Sequence, residues 1–205
     1  MILYALTDER DETDAAFLAR VESALNGGVQ WVQFREKRSS MEKREHRGRE
    51  LVRLCKDYDV KCIVNDSVEL ALAIEAHGVH LGKSDGSITA ARQLLSDNSI
   101  IGATCHDDFP SAITAQRDGA TYVAFGAMYP SPTKPHAIRA SLDTVKRAKA
   151  ELNIPVCCIG GITPKHIPDL AVSGADIIAV ASAIFNAANP QQAARAFREK
   201  MDANR

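Results

Sequence analysis

Short apolar, β-branched runs alternate with longer amphipathic stretches along the whole chain. The strand-like runs are Ile2–Leu6, Val29–Phe34, Lys61–Val64, Gly78–Leu81, Ile100–Ala103, Tyr122–Phe125, Pro155–Ile159 and Asp176–Val180. The stretches with helical spacing are Asp14–Leu25, Met41–Asp57, Val68–Ala76, Ile88–Leu95, Pro110–Asp118, Leu142–Glu151, Pro164–Ser173 and Gln191–Lys200. Strict alternation of apolar strands with helices is typical of a parallel sheet that is covered by helices.

The number of these units predicts a closed barrel. Eight strand-helix units in 205 residues fit the lower size limit of a (β/α)8 barrel, the TIM barrel of the α/β class. An open, doubly wound sheet is the structural alternative. A chain of this length can bury one substantial core, and too few residues remain for a second domain. We therefore expect a single catalytic domain over residues 1–205.

Charge and hydropathy limit the partners that the chain can have. The 25 basic residues nearly balance the 26 acidic ones, which gives no overall field for nucleic acid or an anionic membrane. The longest near-continuous apolar stretch, Ile177–Phe185, is far shorter than the roughly 20 residues of a membrane span. Met1–Leu6 precedes an acid-rich stretch and is too short for a secretory signal. We expect a cytoplasmic protein with small-molecule partners, and the sequence leaves a homo-oligomer open.

In such a barrel the functional groups follow the strand ends, and the second strand runs into a row of cations. Alternate residues of an extended segment share one face, so Gln33, Arg35 and Lys37 are predicted to face the barrel axis. Arginine and lysine both suit a phosphate, and Lys134 after the sixth strand is a further candidate. The alternative is a solvated charge run. The basic residues of the next helix alternate with glutamates and are interpreted as an exposed face: Lys43, Arg44, Arg47, Arg49 and Arg53.

Two aspartates follow consecutive strands and are candidate metal ligands. Asp66 comes after the third predicted strand and Asp85 after the fourth. Two carboxylates together with a diphosphate are a usual way to hold Mg2+, with water completing the octahedron. The alternatives are structural, because Asp66 could cap the helix that follows and Asp85 with Gly86 could form a turn.

Small residues follow the last two strands and predict a second anion site. Gly160-Gly161 and Ala181-Ser182 occupy the position where barrels bind phosphate through backbone N–H groups. Ser131 and Thr133 could add hydroxyl donors to the same phosphate or to a neighbouring carboxylate. The mouth of the barrel is therefore predicted to have a cation-and-metal side and, opposite it, a backbone-amide side.

The sequence does not suggest covalent catalysis, because no Ser-His-Asp or Cys-His arrangement can be identified. His80 lies within the fourth strand and is interpreted as a satisfied interior residue. The five cysteines lack metal-like spacing and are read mainly as small hydrophobic residues. Only Cys105, just past a strand, is a candidate for a reactive thiol.

At these residues the chain resembles the thiamine-phosphate synthase family over nearly its whole length. Taken in this order and spacing, the motifs are highly specific: Gln33-Phe34-Arg35-Glu36-Lys37, Val64-Asn65-Asp66, Gly78-Val79-His80-Leu81-Gly82 followed by Asp85, Pro132-Thr133-Lys134, and Gly160-Gly161-Ile162. The resemblance implies that a hydroxymethylpyrimidine diphosphate and a thiazole phosphate, carboxylated or not, are joined into thiamine phosphate with release of pyrophosphate.

The resemblance also implies a role for each matching residue. Gln33 and Thr104 lie near the pyrimidine; Arg35, Lys37, Asn65 and Lys134 hold the diphosphate; Asp66 and Asp85 bind Mg2+; Ser131, Thr133, Gly161, Ala181 and Ser182 surround the thiazole substrate. The implied reaction is dissociative, so that pyrophosphate leaves first and the thiazole nitrogen captures a pyrimidine-methyl cation. Arg35, Lys37 and Lys134 would then be the catalytic groups, because they stabilise the charge of the leaving group.

Two other functions are compatible with the barrel. A thiazole tautomerase-like isomerase shares this fold, but it has no need for a diphosphate clamp of Arg35, Lys37, Asp66 and Asp85. A non-catalytic sensor of thiamine phosphate would have no use for a full metal-binding set. The motifs at the strand ends favour the synthase over both.

Overall fold

The protein is a closed barrel of parallel strands, and the computed structural model describes residues 1–130 and 139–204. Each strand pairs with its neighbour in the sequence, and the last pairs with the first. The strands are β1 (Ile2–Leu6), β2 (Trp31–Phe34), β3 (Lys61–Asn65), β4 (Gly78–Leu81), β5 (Ile100–His106), β6 (Tyr122–Phe125), β7 (Val156–Ile159) and β8 (Ile177–Val180). The predicted (β/α)8 barrel is confirmed, and the open sheet is excluded.

Helices follow the strands and cover the outside of the barrel. They are α1 (Asp14–Asn26), α2 (Met41–Asp57), α3 (Val68–Ala73), α4 (Ile88–Leu94), α5 (Phe109–Arg117), α6 (Leu142–Glu151), α7 (Ile167–Val172), α8 (Ser182–Phe185) and α9 (Pro190–Asp202). Most begin at a residue whose side-chain oxygen accepts a hydrogen bond from the first turn: Thr13, Ser40, Ser67, Ser87, Asp108, Ser141 and Asn189. These caps satisfy N–H groups that have no partner within the helix.

Several element ends shift by one to three residues from the predicted bounds, and three differences lie at or after the end of a strand. β5 continues to His106, beyond the predicted end at Ala103. The helix predicted over Pro164–Ser173 is a short 3-10 turn, Pro164–His166, followed by α7. The short helix α8, directly after β8, was not predicted. Its four residues are too few to show a helical period in the sequence.

Strand alternation divides the buried side chains into two layers. One layer lies between the sheet and the helices and includes Leu3, Val32 and Val64. The other fills the interior of the barrel: Tyr4, Leu6, Ile63, Tyr122, Ala124, Cys157, Ile177 and Ala179. Residues two positions apart on a strand face the same way, so the interior layer fixes which side chains point towards the axis at each strand end.

All five cysteines are free and buried, as predicted for hydrophobic positions. The reactive role considered for Cys105 is not supported, because burial raises the pKa of its thiol to about 12. At neutral pH almost no thiolate is available for chemistry. Among the helices of the described residues, none has the length and hydropathy to cross a membrane.

Candidate active site

The predicted cation row consists of Arg35 and Lys37, with Gln33 before them, and the three residues lie at different depths in the barrel. Gln33 belongs to β2 and is almost completely buried. The side chains of Arg35 and Lys37, beyond the end of β2, are 43% and 52% exposed. The row therefore runs from the interior out to the mouth of the barrel, with its charges where solvent and a ligand can reach them.

The loop after β1 holds this row from behind, a support that the sequence analysis did not identify. The hydroxyl of Thr7 accepts a hydrogen bond of 3.0 Å from the backbone N–H of Arg35. A carboxylate oxygen of Glu9 accepts one of 2.5 Å from the N–H of Lys37. Glu9 also pairs with Arg38 at 3.1 Å. The backbone that carries the cations is thus fixed by side chains of the neighbouring loop.

Glu36 points away from the mouth and makes a buried ion pair with Arg47 of α2. The guanidinium Nη1 lies 3.0 Å from the Glu36 carboxylate, and Nε lies 2.7 Å from Asp14. The Arg47 side chain is only 4% exposed. The interpretation of Arg47 as part of an exposed helix face is therefore wrong. The charge pattern of α2 did not indicate that Arg47 is buried, because it does not reveal which cation faces the loop after β2.

Asp66 meets the cation row directly. Lys37 Nζ lies 2.6 Å from Asp66 Oδ2, which joins the ends of β2 and β3. Asp66 adopts φ +67°, a left-handed conformation in which aspartate is among the more tolerated residues. The helix cap is Ser67, so the capping alternative for Asp66 is excluded. Asn65 ends β3 and pairs in register with His80 of β4.

Asp85 closes a turn after β4, as the structural alternative proposed. Its Oδ2 accepts a hydrogen bond of 2.9 Å from the N–H of Gly82. A carboxylate has several acceptor sites, so Asp85 keeps lone pairs for a metal ion beside this hydrogen bond. No cluster of three or more His, Cys, Asp or Glu side chains suited to a metal occurs in residues 1–130 and 139–204. Two aspartates fit Mg2+ only if a diphosphate and water supply the remaining ligands.

The opposite side of the mouth is formed by backbone. Gly160 and Gly161 adopt φ of +100° and +66° after β7. A side chain on Gly161 would overlap the carbonyl oxygens of Tyr129 and Pro130. Tyr129 donates its N–H to the carbonyl of Gly160 at 2.9 Å, and its ring stacks on His166 with centroids 3.6 Å apart. The loop after β7 is therefore packed closely against the start of the loop after β6.

The short helix α8 completes this side. It begins at Ser182 with Ala181 as its N-terminal cap, and both residues follow β8 as predicted. A short extra helix after the eighth strand is a common part of the phosphate site in barrels. The sequence placed the small residues correctly but did not reveal the helix.

A chain of hydrogen bonds crosses the interior below the mouth. Gln33 Nε2 donates to the Tyr4 hydroxyl at 2.8 Å, and the Tyr122 hydroxyl lies 3.3 Å from that of Tyr4. His80 contacts the Tyr122 hydroxyl at 2.7 Å and the Thr104 hydroxyl at 2.8 Å. Burial lowers the pKa of His80 to about 4, so its ring is neutral at neutral pH. His80 is the satisfied interior residue that was predicted.

Three of the predicted site residues cannot be placed in this geometry. Ser131, Thr133 and Lys134 lie outside the described residues. The residues that the sequence analysis missed are Tyr4 and Tyr122 in the interior, and Glu9, Glu36 and Arg47 behind the cation row. The only signal for the two tyrosines was their position on strands, since a buried hydroxyl requires a partner.

Known families, sequences and solved structures give concordant matches to this chain. Residues 3–184 match the family model described as thiamine monophosphate synthase. A thiamine-phosphate synthase from Thioalkalivibrio sulfidiphilus is 45% identical over 94% of this chain and 92% of its own length. One from Methylococcus capsulatus is 46% identical, covering 94% and 86%. The solved thiamine phosphate pyrophosphorylase from Pyrococcus furiosus superimposes with a TM-score of 0.89 at 31% identity, covering 99% and 96%.

Proposed function

The chain belongs to the thiamine monophosphate synthase family, and on that basis we propose which of its residues bind each substrate and the metal ion. Its activity is the synthesis of thiamine phosphate, which makes it a transferase of thiamine biosynthesis. The substrates are a hydroxymethylpyrimidine diphosphate and a thiazole phosphate. The bond between the pyrimidine methylene carbon and the diphosphate oxygen breaks, and a bond from that carbon to the thiazole nitrogen forms.

The cation side takes the diphosphate. Arg35 offers a planar guanidinium for two parallel hydrogen bonds to phosphate oxygens, and Lys37 adds a compact charge. Asn65, at the end of β3, lies next to Asp66 and can donate its amide N–H groups. Lys134 belongs to the same set by family resemblance. These groups stabilise the negative charge that grows on the departing pyrophosphate, which is the largest catalytic contribution in such a step.

Asp66 and Asp85 are the proposed ligands of Mg2+. When bound, the ion would neutralise diphosphate charge and so favour departure of pyrophosphate. The ion pair between Lys37 and Asp66, 2.6 Å long, would then also position the Asp66 carboxylate. It keeps the carboxylate near the place where the diphosphate binds, and Lys37 can turn from Asp66 to a phosphate oxygen.

The amide side takes the thiazole phosphate. Gly161 and Ser182 bring backbone N–H groups close to an anion, and Ala181 leaves room for it. Ser131 and Thr133 are assigned to this substrate by resemblance. Holding the thiazole nitrogen in line with the methylene carbon speeds its capture of the cation, because a fixed partner reacts as an intramolecular one.

The observation that carries the proposal is the contact between Lys37 and Asp66, since it joins a predicted diphosphate ligand to a predicted metal ligand at one edge of the barrel. The family's dissociative course fits these groups, because they provide charge for a leaving group and the sequence gives no evident nucleophile.

The test is to mix both heterocycles with Mg2+ and purified protein, and to quantify pyrophosphate and thiamine phosphate. We expect equal amounts of the two products, and no thiamine phosphate after chelation of the metal. Isomerisation of the thiazole without release of pyrophosphate would indicate the tautomerase-like function. Binding of thiamine phosphate without turnover would indicate a sensor. Either result would refute the proposal.

A further inference from the structure

The loop after β1, residues 7–12, adjoins both sides of the barrel mouth, because β1 lies between β2 and β8 in the closed sheet. Towards β2, Thr7 and Glu9 accept hydrogen bonds from the backbone N–H groups of Arg35 and Lys37. These contacts fix the backbone of the cation row. The same loop also reaches the amide side of the mouth, through the residue that follows Glu9.

Arg10 makes the contact with the amide side. Its Nη2 donates hydrogen bonds to the Phe185 carbonyl at 2.5 Å and to the Asn186 side chain at 2.8 Å. Phe185 is the last residue of α8 and is completely buried, and Asn186 is the C-terminal cap of that helix. The carbonyls in the last turn of a helix have no partner within it. Arg10 therefore satisfies and fixes the end of the helix that begins at Ser182.

A second arginine holds Arg10 in place. One carboxylate oxygen of Asp8 accepts a hydrogen bond of 2.9 Å from Arg10 Nε, and the other lies 2.6 Å from Arg20 of α1. The Arg20 side chain is 10% exposed, and its guanidinium lies 5.1 Å from the centre of the Phe185 ring. A polar network whose members are satisfied is rigid. The end of α8 is thus fastened to the loop after β1 and to α1.

We propose that Arg10 is a positioning residue for the synthesis of thiamine phosphate, which fixes α8, and with it Ser182, relative to the cation row. The inference rests on the proposed function, in which Ala181 and Ser182 hold the thiazole phosphate. Because Glu9 and Arg10 are consecutive, the backbone of one loop links the groups that bind the two substrates. Reaction between the substrates is sensitive to this link, since a misplacement of about 1 Å can lower a rate about a hundredfold.

The link affects the fate of the pyrimidine-methyl cation. When the carbon–oxygen bond breaks, pyrophosphate leaves with the electron pair, and the thiazole nitrogen then donates its lone pair to the methylene carbon. Water is the competing nucleophile. Its oxygen adds to the same carbon and a proton goes to solvent, which gives the hydroxymethylpyrimidine instead of thiamine phosphate. A fixed thiazole outcompetes water because it acts at a very high effective concentration. A loosened α8 shifts this partition towards water while pyrophosphate is still released.

The test is Arg10→Met, which keeps the length of the side chain and removes its donors. Pyrophosphate, thiamine phosphate and hydroxymethylpyrimidine are quantified at saturating concentrations of both substrates. We expect the KM of the thiazole phosphate to rise about tenfold, as for the loss of one charge-assisted hydrogen bond. The share of hydroxymethylpyrimidine rises several-fold, and the KM of the pyrimidine diphosphate hardly changes. Arg10→Lys, which keeps the charge and a donor, should restore part of both quantities.

The matched control is Arg117→Met, which removes an exposed cation at the end of α5, where it pairs with Asp118. An unchanged product ratio in folded Arg10→Met would overturn the inference, because a merely structural arginine affects the melting temperature and not the fate of the cation. A rise in the KM of the pyrimidine diphosphate alone would also overturn it.

Asn186→Ala tests the same contact from the side of α8, and it decides the matter if Arg10→Met does not fold. The Asn186 side chain is exposed, so its loss should leave the fold intact and shift the KM and the product ratio in the same direction. Normal values of both would overturn the inference. An unaltered protein that makes no thiamine phosphate would instead refute the proposed function, so the two failures are distinguishable.

Discussion

The two sides of the barrel mouth are built by different means. On the cation side, at the ends of β2 to β4, side chains are the proposed ligands and other side chains hold them: Glu9 beside Lys37, and Arg47 behind Glu36. On the amide side, after β7 and β8, the backbone itself is the proposed ligand, and its shape depends on glycines with positive φ.

The difference corresponds to the two anions that are proposed to bind there. A diphosphate that must depart gains most from positive charge close to its oxygens, and the half-exposed side chains of Arg35 and Lys37 can supply that charge once they turn from Glu9 and Asp66. A monophosphate that only has to be held needs fixed N–H groups at low conformational cost. Substitutions should therefore act through charge on one side and through shape on the other.

Arg35→Ala should give the largest effect. Loss of the guanidinium removes stabilisation of the departing pyrophosphate, and kcat should fall by about 10²–10³, as when one such donor is removed. The KM of the thiazole phosphate should hardly change. Single-turnover release of pyrophosphate measures the step. Arg53→Ala, which removes a 71% exposed cation of α2, is the control. Near-normal kinetics in a folded Arg35→Ala protein would contradict the assignment.

Gly161→Val tests the amide side by shape alone. The added side chain meets two carbonyl oxygens at a φ of +66°, and displacement of the loop should raise the thiazole-phosphate KM about tenfold or more, given 1–3 kcal/mol of strain. Gly119→Val is the control. Gly119 also has a positive φ, +101°, but it lies on the opposite face of the barrel, and a Cβ atom added there would have no atom closer than 3.6 Å. A selective rise in the pyrimidine KM would contradict the division of the mouth.

Asp85→Asn tests whether Asp85 binds the metal ion or only closes the turn. Asparagine can still accept the hydrogen bond from the Gly82 N–H, so the loop should keep its shape while the charge is lost. The Mg2+ concentration for half-maximal activity should rise about tenfold, which corresponds to 1.4 kcal/mol. Asp143→Asn, at a 90% exposed carboxylate, should have no effect. Unchanged dependence on Mg2+ would assign Asp85 to the turn alone.

Glu36→Gln should have the smallest effect, because it acts on the cation row through the backbone. Arg47 keeps Asp14 as a partner, so we expect a loss of about 1–3 kcal/mol in stability and a rise of a few-fold in the KM of the pyrimidine diphosphate. Thermal unfolding measures the loss of stability, and steady-state kinetics measure the change in KM. Combining Glu36→Gln with Arg47→Met should cost less than the sum of the single changes. Strict additivity would show that the pair does not act as a unit.

Much of the site could be predicted because strand periodicity determines direction. Gln33 is buried in the barrel, as strand alternation required. The contact between Lys37 and Asp66 was not predicted and is seen only in the structure. Periodicity could not identify Arg47, since a helix with cations on several faces gives no sign of which one is buried. The assignments of Ser131, Thr133 and Lys134 stay predictions.

The sequence by itself determined the barrel, because eight repeated strand-helix units can bury their apolar faces in very few ways. It also determined which residues follow each strand. Only the tertiary structure decided which of them meet: the interior chain from Gln33 to Thr104 joins residues 71 positions apart through two tyrosines. Such contacts depend on the closure of the whole sheet, and no local pattern of residues encodes the distance across a barrel.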